Sequence, residues 1–173
     1  MFEESGERAN VVALDASHDR SSFESGVEPL DRYFRTQIGQ DARKGMAAPF
    51  VLLLTDGTIV GYYTLSATGV SVGEFPERIA RKLPRYPLVP ATLVGRLAVD
   101  HRHRGRGHGR HMLADALFRA MRSEVASFAV VVEAKDEDAQ RFYERESFIR
   151  FSGQPMRLYR PIADYRKVFE EKL

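Results

Sequence analysis

The chain contains no cysteine, which excludes disulfides, thiolate metal sites and a cysteine nucleophile. A reducing, cytoplasmic setting fits that absence. Nowhere do apolar residues run for the roughly 20 positions a membrane span needs. The first ten residues, MFEESGERAN, are acidic where a secretory signal carries a basic flank and an apolar stretch. Neither a membrane association nor a cleaved leader is expected. Internal repeats, low-complexity tracts and an interdomain linker are missing too, so the 173 residues read as a single domain, 1–173. There is also little excess charge of one sign, the formal net being +2.

What is present is unevenly placed. Between residues 77 and 110 nine basic side chains face two acidic ones. Such local asymmetry holds phosphates on one face without making the whole surface basic. Around it, strands and helices mix without the regular alternation of a doubly wound sheet, an α+β pattern. Residues 10–14 read as a first strand, and 31–44 as one amphipathic helix, with Leu30, Tyr33, Phe34, Gln37 and Ile38 on one face, ending at Gly45. Residues 50–54 and 59–67 form a hairpin about Asp56-Gly57. Four prolines between 75 and 90 predict a surface insertion with a short basic helix at 77–82. A strand at 93–99, a glycine turn and a helix at 110–123 follow. A buried strand at 128–132, a helix at 136–145 started by an aspartate, and a terminal hairpin from 148–151 and 156–159 complete the pattern.

The segment Arg104-Gly105-Arg106-Gly107-His108-Gly109 carries the strongest chemical signal. Glycines permit positive φ and clear side chains from the approach path, so successive N–H groups converge on an anion, and the following helix adds its positive end. A pyrophosphate is the natural guest, with nearby arginines, Arg110 included, adding charge-assisted hydrogen bonds. A phosphate loop of the Gly-x-x-x-x-Gly-Lys-Ser/Thr kind is excluded because its lysine and hydroxyl are absent, and a dinucleotide fold needs an earlier βαβ unit. Four of the five histidines, His101, His103, His108 and His111, crowd the same stretch. With the loop committed to phosphate and no carboxylate cluster beside it, a metal site is not expected.

These motifs resemble the GNAT acetyltransferase superfamily. Arg104-x-x-Gly107-x-Gly109 has its R/Q-x-x-G-x-G/A pattern, and Ala134-Lys135-Asp136 with Ala139, Phe142-Tyr143 and Phe148 resembles the second half of its coenzyme site. Gly61-Tyr62-Tyr63-Thr64-Leu65-Ser66, Gly95-Arg96-Leu97-Ala98-Val99-Asp100, and Phe23-Glu24-Ser25-Gly26 with Leu30-Asp31 are similar to a narrower group, the GNAT toxins of bacterial toxin–antitoxin systems, which acetylate aminoacyl-tRNA. Ser147 departs from the family, which usually has glycine there, and leaves the local turn open. The resemblance implies a twisted mixed sheet of about six or seven strands, splayed between two central parallel ones. It implies acetyl-CoA as co-substrate, its pyrophosphate on the 104–110 loop, its pantetheine along the backbone of Leu97, Ala98 and Val99, with Asp136 and Ala139 also at the cofactor. Tyr143 is then the general acid, since a phenol with a pKa near 10 is protonated at neutral pH.

No glutamate announces itself as a base; Glu133 ends a strand and is expected to be exposed. An α-amine with a pKa of about 8 needs less help than lysine at about 10.4, which favours aminoacyl-tRNA as acceptor. Arg43, Lys44, Arg78, Arg81, Lys82, Arg85 and Arg96 are the candidate tRNA contacts, and Tyr62 and Tyr63 candidates for a pocket around the amino-acid side chain. By resemblance, a ribbon-helix-helix antitoxin and a homodimer are expected as well. A GNAT enzyme for a small amine or protein N-terminus, and a non-catalytic basic binding module, stay open as alternatives.

Overall fold

The computed structural model describes residues 3–4 and 7–172. Within them the chain divides into two compact units: the first comprises the chain up to Ser66 together with Gly95–Ala116, the second Ala67–Val94 with Leu117–Leu173. Among the described residues no helix is long and apolar enough to cross a membrane.

The first unit is an antiparallel meander. Strands β1 (Glu3–Glu4), β2 (Glu7–Ala13), β3 (Ala48–Leu54) and the first part of β4 (Ile59–Val70) pair in chain order. The register runs Ala9↔Leu54 to Ala13↔Phe50 and Ala48↔Leu65 to Leu53↔Ile59, with an irregularity at Leu52/Leu53. The β3–β4 turn is the one Asp56-Gly57 predicts: Gly57 sits at φ +88°, and Asp56 accepts the Thr58 N–H at 2.9 Å. Two helices, α1 (Glu28–Thr36) and α2 (Ile38–Arg43), stand where the periodicity predicts one. The break has a local cause. Arg20 Nη1 donates to the Phe34 carbonyl at 2.9 Å, competing with the helical bond due one turn on, and Gly39 weakens the helix in the same place. Tyr33, Phe34 and Ile38 are buried with Phe23, Val51, Ile59 and Tyr62, and the Phe34 ring stacks on Tyr62 at 4.3 Å. Gly61 leaves room for Met112: a Cβ there would lie 2.6 Å from its methyl and 3.2 Å from the Ala98 carbonyl oxygen, so the Met112 side chain would have to shift.

In the second unit the start of β5 (Val89–Val99) pairs parallel with β6 (Ala129–Glu133), Ala91↔Ala129 to Val94↔Val132. Strands β7 (Ile149–Phe151) and β8 (Gln154–Pro161) extend it antiparallel in the order β5-β6-β8-β7. Burial of Ala129, Val130, Val131 and Val132 explains the unbroken apolar run of β6, a strand covered on both faces. Phe75 packs its ring against Phe128, Phe151 and Tyr159 at 5.5, 5.3 and 5.0 Å. The basic helix α3 covers only Glu77–Ala80, and Pro84, Arg85, Tyr86 and Pro87 beyond it are exposed, as a surface insertion requires. Helix α4 (His108–Arg122) passes from the first unit into the second, α5 (Glu137–Arg145) lies wholly in the second, and α6 (Ile162–Glu171) is a helix the sequence pattern does not announce.

Candidate active site

In the first unit the glycine loop joins a 3-10 turn, His101–His103, to α4. Gly105 and Gly107 adopt φ +75° and +77°, and a Cβ at Gly105 would meet nothing within 4 Å. Conformation rather than crowding therefore demands glycine at 105. The first turn of α4 has no acidic residue, so its positive end is uncompensated. Alternating glycines with positive φ before a fifteen-residue helix fit a pyrophosphate, the donor set being main-chain N–H groups.

What holds the loop lies far back in the chain. The buried Asp100 carboxylate accepts from the Glu24 N–H at 3.1 Å, the Arg102 N–H at 3.0 Å, and Arg102 Nε and Nη2 at 2.9 and 2.7 Å. Burial pushes its pKa up, but those donors outweigh the burial and set it at about 2. His101 N–H donates to the Glu24 carbonyl, Arg102 Nη2 to Ser22 and Arg104 Nη2 to Ser25. Ser25 is in turn fixed by the buried Asp31, which accepts from its N–H and hydroxyl at 2.8 and 2.6 Å and from Gly26 N–H at 3.2 Å. The resemblance includes these residues but gives them no role; the signal for it in the sequence is an aspartate six residues past a serine, one helical turn into α1.

Arg104 is thus already engaged with a carbonyl, Arg106 lies exposed with Nη1 3.3 Å from His103 Nδ1, and Arg110 is exposed. His108 is buried at the start of α4, with Gly109 next to it. Leu97 and Val99 are half-buried and Ala98 buried. They lie beyond Val94, where the parallel register ends. Among the described residues no group of three or more metal-capable side chains forms.

In the second unit Asp136 is the N-cap of α5, its Oδ1 accepting the Ala139 N–H at 2.8 Å. This bond gives both residues a helix-starting job. Tyr143, 7% exposed, packs its ring on Phe142 and Phe148 at 5.2 and 5.7 Å. Burial raises the phenol to about 12. Its hydroxyl has no hydrogen-bond partner among the described residues, whereas its carbonyl accepts the Phe148 N–H at 3.1 Å while Ser147 N–H reaches the Glu144 carbonyl at 3.1 Å. That pair of bonds is a Schellman turn with Ser147 at the glycine position, and Ser147 takes glycine's conformation, φ +69°. The departure from glycine therefore keeps the turn and strains it.

The basic candidates are not equally available. Arg43 and Lys44 in the first unit, and Arg78, Lys82 and Arg85 in the second, are exposed. Arg81 pairs with Glu77 at 2.6 Å, and Arg96 is half-buried with its guanidinium 3.5 Å above the Tyr33 ring. Tyr62 and Tyr63 do not line a pocket: both are fully buried, their hydroxyls bonded to the Leu30 carbonyl at 2.8 Å and to Asp115. Alternation predicts one of the pair in the core, and helices packed on one side with Phe50 stacked on Tyr63 at the other bury both. Glu133 is exposed as expected, 4.0 Å from Arg157 Nε.

The Acetyltransferase (GNAT) family profile matches residues 13–148. A tRNA-acetylating toxin of Mycobacterium tuberculosis (strain ATCC 25618 / H37Rv) is 34% identical over 155 residues, covering 88% of this chain and 92% of that protein. The structure of AtaT complexed with acetyl-methionyl-tRNAfMet superposes with a TM-score of 0.86 at 26% identity, over 94% of this chain and 99% of that one. AtaTR bound with AcCoA gives 0.81 at 26%, over 93% and 98%. The mixed parallel and antiparallel sheet with flanking helices is the fold these structures share. From its glycine loop, its capped α5 and a profile spanning most of its length, this chain belongs to the acetyltransferase (GNAT) family.

Proposed function

We propose that this chain is an acetyl-CoA-dependent toxin that acetylates the α-amine of aminoacyl-tRNA and thereby blocks translation. The observation that carries the reading is the 34% identity with a tRNA-acetylating toxin along 88% of the chain. The AtaT structure with acetyl-methionyl-tRNAfMet supports the acceptor and AtaTR with AcCoA the donor. In this reading residues 1–173 act as one catalytic domain in the cytoplasm, as a homodimer restrained by a ribbon-helix-helix antitoxin.

Acetyl-CoA supplies an activated thioester when bound. The amides and arginines of residues 104–110 hold its pyrophosphate, and the backbone of Leu97, Ala98 and Val99 offers a strand edge for pantetheine. Asp136, through its bond to Ala139, fixes the helix that carries Tyr143. A phenol at about 12 stays protonated throughout the neutral range. It donates a hydrogen bond to sulfur as negative charge develops there, while the net proton passes from the attacking amine to sulfur. An acceptor α-amine with a pKa of about 8 is in part unprotonated at neutral pH and supplies its own lone pair, so Glu133 is not required as a base. The exposed Arg43, Lys44, Arg78, Lys82 and Arg85 serve the phosphates of the acceptor RNA, with Arg81 and Arg96 joining them only by leaving Glu77 and the Tyr33 ring.

With labelled acetyl-CoA the protein should mark charged but not deacylated tRNA and should arrest a cell-free translation system. Tyr143→Phe should lower kcat roughly 10²- to 10⁴-fold with little change in acetyl-CoA affinity. Label passing instead to spermidine, an aminoglycoside or a protein N-terminus, with charged tRNA untouched, would replace the acceptor and leave the acetyltransferase standing.

A further inference from the structure

A cavity of about 310 Å³ opens in the first unit, lined in part by Leu14, Asp15, Arg20, Gly39, Arg43 and Pro49. Two guanidiniums converge where Gly39 has no side chain. A Cβ on Gly39 would stand 3.3 Å from Arg43 Nη1 and 3.8 and 3.9 Å from Arg20 Nη2 and Nη1. The bond from Arg20 to the Phe34 carbonyl fixes one of the two forks. Among the described residues no salt bridge engages either arginine. Two cations drawn together with no carboxylate paired to either repel, Asp15 in the same lining only partly offsets them, and an anion that accepts from both relieves what is left.

Asp15 tells which anion. Its Oδ1 accepts the Ser17 N–H at 2.8 Å and the Ser17 hydroxyl, and its own N–H donates to His18 Nδ1 at 3.0 Å, so Oδ2 retains its acceptor capacity. Ser17 lowers its pKa through the side-chain and then the backbone hydrogen bond, and the carboxylate is ionised at neutral pH. An ionised carboxylate in the lining repels any anionic group brought directly against it and welcomes a hydroxyl donor, so a ligand that carries its anion on the arginines and a neutral hydroxyl beside Asp15 fits best. A ribonucleotide offers both halves: non-bridging phosphate oxygens for two arginine forks and a 2′-hydroxyl for an acceptor. The volume is that of a small-ligand site.

We propose that this cavity is a subsite for one ribonucleotide of the acceptor RNA's backbone, with Arg20 and Arg43 on the phosphate and Asp15 on the 2′-hydroxyl. The proposal rests on the RNA-directed reading of the function, and its test avoids the reaction. The probe is a deacylated, fluorescently labelled RNA hairpin of acceptor-stem length, titrated with the full chain at several salt concentrations, beside a DNA hairpin of the same sequence. Arg43→Gln, at an exposed position, should weaken RNA binding on the order of tenfold and reduce the salt slope by about one. Arg20→Gln should do the same, with its melting temperature as the control for the lost bond to Phe34. Asp15→Ala should narrow the preference for RNA over DNA, with DNA affinity unchanged or raised by the lost negative charge. Arg43→Gln with unaltered affinity and slope overturns the subsite. So does loss of binding to a glutamate-rich peptide with RNA binding intact, which assigns the arginines to an acidic protein partner. If the arginine variants lose RNA while the native chain fails to acetylate charged tRNA, the subsite stands and the functional reading falls.

Discussion

The glycine loop of the first unit is held by carboxylates and main-chain carbonyls, whereas the turn bearing Tyr143 in the second is held by ring packing and one helix-ending geometry. A loop that must present bare N–H groups to an anion cannot be fixed by packing over it, so hydrogen bonds fix it from behind. A phenol that must stay neutral gains from the opposite treatment, because apolar surroundings penalise only its charged form. Charge-based and packing-based scaffolds therefore fail under different perturbations.

The largest effect expected comes from attacking the packing. Phe75→Ala removes the ring on which Phe128, Phe151 and Tyr159 converge, and should destabilise the protein by about 3–5 kcal/mol in chemical denaturation. A loss below 1 kcal/mol would show that the second unit does not depend on that cluster.

Asp100→Asn attacks the polar scaffold and should cost about 2 kcal/mol. A carboxylate held at about 2, below its ordinary 3.8, contributes stability that is fully present above pH 4 and is lost as pH falls through about 2. The native chain should accordingly weaken between about pH 4 and 2, and the asparagine variant should lose that part of its acid limb. Parallel acid curves for the two would remove Asp100 from the scaffold.

Smallest is the relief of strain at the Tyr143 turn. Ser147→Gly should stabilise by about 1 kcal/mol, the cost of a left-handed backbone in a residue with a Cβ. An unchanged melting temperature would mean that serine's side chain compensates the strain.

Legibility in the sequence followed the range of the interaction responsible. The Asp56-Gly57 turn, the positive φ of Gly105 and Gly107 and the aspartate cap of α5 each depend on residues within four positions of one another, and each stands where the pattern puts it. The split between α1 and α2 depends on Arg20, fourteen residues from the carbonyl it takes, and periodicity has no term for such a competitor. Burial of both Tyr62 and Tyr63 depends on what covers each face of β4, which alternation alone does not state. Helix α6 is not legible because its apolar residues, Ile162, Tyr165, Val168 and Phe169, are spread among charges. The 104–109 motif was visible; the carboxylates behind it were not, since Asp31 and Asp100 are single acidic residues until the fold brings Ser25 and Glu24 to them.

The ties from residues 22–25 to 100–104 span 76 to 80 positions. Contacts of such separation form only after a long segment has been closed, and the entropy of that closure is lost before the contacts return anything. On a ribosome, the segment that anchors the loop emerges long before the loop does, and must wait for it. Anion-binding competence is then a late acquisition of the folding chain, arriving only when its beginning has met its middle.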